Sequence, residues 1–126
     1  MKNIILILGR PGNGKSEHLI SYANEHKNET IFVSLERSTD ELYNERKLDT
    51  SIKVINSIEN IYNALTNSHK SICIDNLEAI SDFKEFENIL LFSFKNDIRV
   101  HITSHLTKDF TYSPYAQKLA KFLEKL

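Results

Sequence analysis

At 126 residues, with 40% hydrophobic and 26% charged side chains, the chain has the composition of one soluble globular domain, 1–126, and little room for a second. Its formal net charge of −1 and pI near 6.5 lack the basic excess on which a free-standing nucleic-acid clamp depends, though contact with DNA through one local loop stays open. The single Cys73 rules out an internal disulfide, no apolar run reaches the length of a membrane span, and the apolar residues before Gly9 are too few for a signal-peptide core, so the cytoplasm is the expected compartment.

Ile4 to Leu8 is an unbroken aliphatic run, which reads as a central strand buried on both faces. A glycine-rich turn follows, then a helix from Ser16 to Lys27 with Leu19, Ile20 and Ala23 at helical spacing. Thr30 to Leu35 is a second, β-branched strand. Ser38 stands three residues before Glu41, the spacing of a capping box, and opens a helix to about Lys47. Ile52 to Ile55 is a short third strand, and Ser57 to Asn67 carries a helical stripe of Ile58, Ile61, Tyr62 and Leu65. Ser71 to Asp75 is the fourth strand, with Cys73 as a small buried hydrophobe, and a helix runs from Asp82 to Lys95. Arg99 to Thr103 is the fifth strand. Thr107 to Ser113 is polar and is the expected mobile loop, and Pro114 suits the first turn of a last helix, Tyr115 to Leu126. Strands alternating with helices predict an α/β domain, a three-layer α/β/α sandwich around a mostly parallel sheet of about five strands.

Gly9 to Ser16 reads GRPGNGKS and fits the pattern G-x-x-x-x-G-K-[ST]. Glycines let backbone N–H groups curl around an anion, and the following helix aims its N-terminal amides and dipole at the same point. Lys15 has the reach for β- and γ-phosphates, and the Ser16 hydroxyl is a Mg²⁺ ligand in such loops. A glycine turn of no consequence is the plainer alternative. Against it, all three glycines of the chain, Gly9, Gly12 and Gly14, fall here, between a buried strand and a helix. The expected phosphate cradle for ATP or GTP is Gly9, Arg10, Pro11, Gly12, Asn13, Gly14, Lys15, Ser16 and Glu17.

Phosphoryl chemistry also needs a carboxylate that holds Mg²⁺ at a strand end. Asp75 ends the apolar strand Ile72-Cys73-Ile74 and is the expected metal residue beside Ser16, against the reading of Asp75-Asn76 as simple turn chemistry. Many ATPases place the water-activating glutamate next in sequence; here Asn76 stands there and is no base. Glu78 is one substitute. Glu36, at the end of the second strand, is the better one, because all strand C-termini of a parallel sheet open on the ligand side.

With these residues in place, the chain resembles the RecA-like ATPase core of hexameric replicative helicases of the DnaB and phage primase-helicase type. After the phosphate loop, Phe32-Val33-Ser34-Leu35-Glu36-Arg37 is similar to the family strand ending in S-L-E, Ile74-Asp75 to its Mg²⁺ strand, and Ile102-Thr103-Ser104-His105-Leu106 to its sensor strand. The resemblance implies Lys15, Glu36 and His105 as catalytic residues, Glu36 as general base and His105 as γ-phosphate sensor. His101 takes no role, and His18, His26 and His69 read as surface residues. Nothing after Lys108 matches the family's basic finger, and none of Arg10, Arg37, Arg46 and Arg99 sits at a matching position. The expected activity is therefore a slow or partner-assisted Mg²⁺-dependent ATPase in DNA replication or recombination. A helicase, a loader or further copies of the chain are the implied partners. Alternatives are a nucleotide-binding regulator without turnover, a small nucleotide kinase, and a packaging or morphogenesis ATPase.

Overall fold

Apolar, β-branched runs at five places along the chain become the strands of one all-parallel sheet. The computed structural model describes residues 3–126; Met1 and Lys2 lie outside them. The strands are β1 (Ile4–Gly9), β2 (Thr30–Ser34), β3 (Lys53–Ile55), β4 (Ser71–Asp75) and β5 (Arg99–His105). Their order across the sheet is β1-β5-β4-β2-β3. Gly9 lies opposite His105, and Ser34 opposite Asp75, so the C-terminal ends of β1, β5, β4 and β2 form one rim.

Side chains alternate across a strand. One face carries Ile31, Val33, Ile72, Ile74, Val100 and Ile102, packed under α2 (Ile61–Ala64), α3 (Phe83–Lys95) and α4 (Pro114–Glu124) through Ile61, Phe86, Ile89, Leu90, Ala116 and Leu119. The other carries Phe32 and Cys73 under α1 (Lys15–Glu25), whose Leu19, Ile20 and Ala23 are the residues that helical spacing singled out. Helices thus cover both faces. Ser113 caps α4 by accepting the Ala116 N–H, with Pro114 in the first turn. No helix among the described residues is long and apolar enough to cross a membrane.

Five local expectations need correcting. β1 is an edge strand, not a central one: Ile4, Leu6 and Ile7 pack on the core, but Ile5 is 43% exposed. An aliphatic run reports burial by helices above and below, and says nothing of strands at its sides. β2 ends at Ser34 and not Leu35, because the Ser34 hydroxyl donates to the Arg37 carbonyl at 2.8 Å and accepts the Arg37 N–H at 3.2 Å, turning the chain. The helix expected to reach Lys47 is one wide π-helical turn, Glu41–Glu45, closed by Arg46 N–H on the Glu41 carbonyl; its cap is as expected, with Ser38 accepting the Glu41 N–H. The helix expected to reach Asn67 is a 3₁₀ turn, Ile58–Asn60, and a single α turn, because the Thr66, Ser68 and His69 side chains bind one another and the local backbone instead of continuing it. The loop at 107–113 is tied across itself by Thr107 N–H on the Thr111 carbonyl and by a Leu106–Tyr112 bridge.

His101 faces α1 and is 6% exposed. Its ring stacks on Tyr22 with centroids 3.8 Å apart, and Nε2 has no hydrogen-bond partner among the described residues. Burial, with Arg99, His26 and His18 adding like charge, holds the imidazole down to about 4. The unfolded chain takes a proton near pH 6.5 that the folded chain refuses until about pH 4, so this group's share of stability is complete above 6.5 and declines as pH falls toward 4. His101→Phe keeps the stacked ring and removes the nitrogen. It should shrink the loss of urea midpoint between about pH 7 and about pH 4.5; an equal loss in both proteins would contradict the assignment.

Candidate functional site

The glycine-rich loop, Gly9 to Ser16, folds as its glycines require. Gly12 and Gly14 adopt φ of +86° and +79°, the left-handed region that side chains avoid, and the Asn13 N–H closes the turn on the Arg10 carbonyl at 3.2 Å. α1 begins at once, and Gly14 at its N-cap offers no side-chain acceptor, so the first-turn amides stay available to an anion. Lys15 is only 8% exposed, its stem passing 3.4 Å from where a Cβ on Gly9 would sit. Its Nζ donates to the Arg10 carbonyl at 3.0 Å. Burial draws the ammonium below its usual range, opposed by the nearby Glu78 and Asp75 carboxylates.

Asp75 ends β4 at 6% exposure, and three side chains converge on it. Ser16 Oγ lies 3.1 Å from each carboxylate oxygen, Thr103 Oγ1 donates to Oδ1 at 2.9 Å, and Arg37 Nη1 reaches Oδ2 at 2.9 Å and Ser16 Oγ at 2.8 Å. Thr103 also accepts the Asn76 N–H at 2.6 Å. Asn76 takes a positive φ, which asparagine tolerates, and its side-chain amide donates to the exposed Glu36 carboxylate. Glu36 therefore lies beyond the end of β2, bonded to the residue after Asp75, and lines the same cavity as Asp75.

Glu78 is spoken for differently. Its carboxylate accepts from Ser104 Oγ at 2.6 Å, the His105 N–H at 2.8 Å and Ser113 Oγ at 2.7 Å, tying the tip of β5 to the start of α4. His105 lines the cavity, and its ring Nδ1 is buried and unpartnered among the described residues.

These groups line a cavity of about 380 Å³ at the sheet rim. It brings together Pro11, Gly12, Gly14, Lys15, Ser16, Glu17, Glu36, Asp75 and His105 of the residues expected from sequence. Gly9, Arg10 and Asn13 shape the loop without lining the cavity; the Arg10 guanidinium turns away to the Leu106 carbonyl at 3.1 Å. Thr103, Arg37 and Arg46 line it and were not foreseen. Their one signal is position: Arg37 follows Glu36, and Thr103 sits on the β5 tip beside β4. The hydroxyl of Ser16 and carboxylate of Asp75 form the hard oxygen pair that suits Mg²⁺ shared with phosphates. No group of three or more His, Cys, Asp or Glu side chains among the described residues makes a metal site independent of a ligand. No protein-family model matches the chain and no curated protein matches it, so its chemistry has to be read from these residues.

Removing the Glu78 carboxylate leaves three donors at the β5–α4 junction unpaired. Glu78→Ala should destabilise the fold by about 2–4 kcal/mol, on the scale of hydrogen bonds to a charged group. Chemical denaturation measures it; a loss below about 0.5 kcal/mol, the ordinary surface range, would contradict the clamp.

Proposed function

We propose that the chain is a Mg²⁺-dependent, ATP- or GTP-binding P-loop protein with a RecA-like core related to replicative helicases, and that it hydrolyses nucleotide slowly or with a partner's help. One observation carries this reading: the anion-ready loop, Lys15, the Ser16–Asp75 oxygen pair, Glu36 and His105 all meet in one cavity at the C-terminal rim of a parallel sheet. The loop motif, the strand ends and the family resemblance together point to that set.

The loop amides and the α1 N-terminus bind the phosphates, and Lys15 leaves its carbonyl partner to neutralise the β- and γ-phosphate oxygens. Ser16 and Asp75 would hold the nucleotide's Mg²⁺, which when bound would draw charge from the phosphates. Glu36, oriented by Asn76, takes a proton from the attacking water. His105, its Nδ1 buried without a partner, meets the terminal phosphate and registers its departure. Such a device suits an assembly that converts hydrolysis into movement. A partner in replication or recombination is what the resemblance to replicative helicase cores implies.

A second reading, a nucleotide-binding regulator with little turnover, is favoured by two features. Arg37 rests on Asp75 and Ser16, and Glu36 is bonded to Asn76. A kinase reading gains less: a clamp for a second phosphate needs several arginines, and Arg46, one of only two that line the cavity, is held between Glu17 at 2.7 Å and Glu41 at 3.6 Å.

Fluorescent ATP and GTP analogues titrated in the presence of Mg²⁺ test the core of the proposal. Lys15→Ala should abolish saturable binding at unchanged fold. Glu36→Gln should bind as the parent does and lose at least about 100-fold in turnover, the scale of general-base catalysis. Absence of binding by the unaltered protein would end the nucleotide reading, and undiminished turnover in Glu36→Gln would end the role of Glu36.

A further inference from the structure

Arg37 stands where the proposed site needs a cation. Its Nη1 is 2.9 Å from Asp75 Oδ2 and 2.8 Å from Ser16 Oγ, on the two groups assigned to Mg²⁺. A guanidinium and a divalent ion cannot share one carboxylate oxygen and one hydroxyl at that distance, because like charges so close repel with little solvent between them. Asp75 and Ser16 can serve either one.

The rest of Arg37 is built for a change of place. Its backbone is fixed from both sides by the Ser34 hydroxyl, and Asn56 Nδ2 adds a bond to its carbonyl at 3.3 Å. The side chain is 29% exposed and lines the cavity already. Nε holds Glu41 Oε2 at 3.2 Å, and Glu41 also reaches Arg46 Nε at 3.6 Å, so the acid keeps a cationic neighbour if Arg37 moves. A fork of several N–H donors on such a tether can reach phosphate oxygens in the same cavity.

We propose that Arg37 is a two-position cation of this site: it neutralises Asp75 and Ser16 in the nucleotide-free protein, and on Mg²⁺-nucleotide binding it moves to the terminal phosphate, where it stabilises the charge of the cleavage step. This rests on the nucleotide reading above. The water oxygen bonds to the γ-phosphorus, the bond from that phosphorus to the β–γ bridging oxygen breaks, and its electron pair leaves with the nucleoside diphosphate. The water's proton passes to Glu36. Arg37 transfers nothing and only meets negative charge. The site thereby carries its own arginine, which the sequence alone did not reveal, and binding nucleotide requires breaking the Arg37–Asp75 pair first.

The test uses the full chain, with Arg37→Gln and Arg37→Lys. Mn²⁺ binding to nucleotide-free protein, followed by the electron spin resonance of free Mn²⁺, should tighten several-fold in Arg37→Gln and stay near the parent in Arg37→Lys. Turnover at saturating ATP and Mg²⁺ should fall about 10³-fold or more in Arg37→Gln, the scale of a catalytic arginine. Urea midpoints report whether each variant is folded. In the unaltered protein, the Arg37 Nε–H resonance should shift on adding a non-hydrolysable ATP analogue with Mg²⁺, an observation that needs no variant. An unmoved resonance in protein that binds the analogue overturns the proposal. So does Mn²⁺ affinity that is equal or weaker in folded Arg37→Gln, or undiminished turnover. If the unaltered protein binds no nucleotide in the titration that Lys15→Ala controls, the nucleotide reading falls and takes this one with it.

Discussion

A buried carboxylate has to be met by donors or it costs the fold several kcal/mol, and Asp75 is where that constraint falls. At 6% exposure it has little water to answer it. The protein answers with one hydroxyl from the start of α1, one from β5 and one guanidinium from the turn after β2. Those three contacts link segments 28 to 59 residues apart. The phosphate loop is thus positioned against the sheet by the same carboxylate that the proposed chemistry needs.

The strand order makes this possible. β5 lies between β1, which carries the loop, and β4, which carries Asp75, so its tip is shared. Alternation then divides the tip: Thr103 and the His105 ring belong to the α1 face and the cavity, and Ser104 belongs to the α4 face and Glu78. Two carboxylates hold one strand end from opposite sides. Asp75 fixes the side that faces the cavity, and Glu78 fixes the side that joins α4. Glu78 is therefore occupied by three structural hydrogen bonds, and it does not line the cavity.

Much of this was legible in the sequence, for reasons that can be named. The loop pattern is local, its geometry set by Gly12 and Gly14 at positive φ, so eight consecutive residues suffice to read it. Alternating strands and helices fix an α/β fold with a parallel sheet, and helical spacing marked Leu19, Ile20 and Ala23 correctly. What could not be read depends on partners distant in sequence. The lateral neighbours of β1 are invisible to its own hydrophobicity. The truncation of the helix after Ser57 is a local exception: Thr66 and His69 side chains capture the N–H groups of Ser68 and Thr66, a competition that the apolar stripe does not report. Arg37 counted as one scattered arginine among four until the Ser34 turn swung it back over Asp75.

Asn76 shows how a departure from pattern is absorbed. A second acid directly after Asp75 would place like charges together at the buried strand end, with Glu36 close by as a third. An amide in that position adds no charge, tolerates the positive φ that turns the chain, and has N–H groups to donate. It donates to Glu36, so the carboxylate that sequence order leaves out after β4 arrives from the turn that follows β2. Along the cavity wall runs a chain of alternating ion pairs: Asp75 on Arg37, Arg37 on Glu41, Glu41 on Arg46, Arg46 on Glu17. Any anion entering with its metal must reorganise that chain of pairs. Under the proposed reading, the reorganisation is what couples nucleotide binding to a change in the Arg37–Glu41 turn, the segment best placed to report it to a partner.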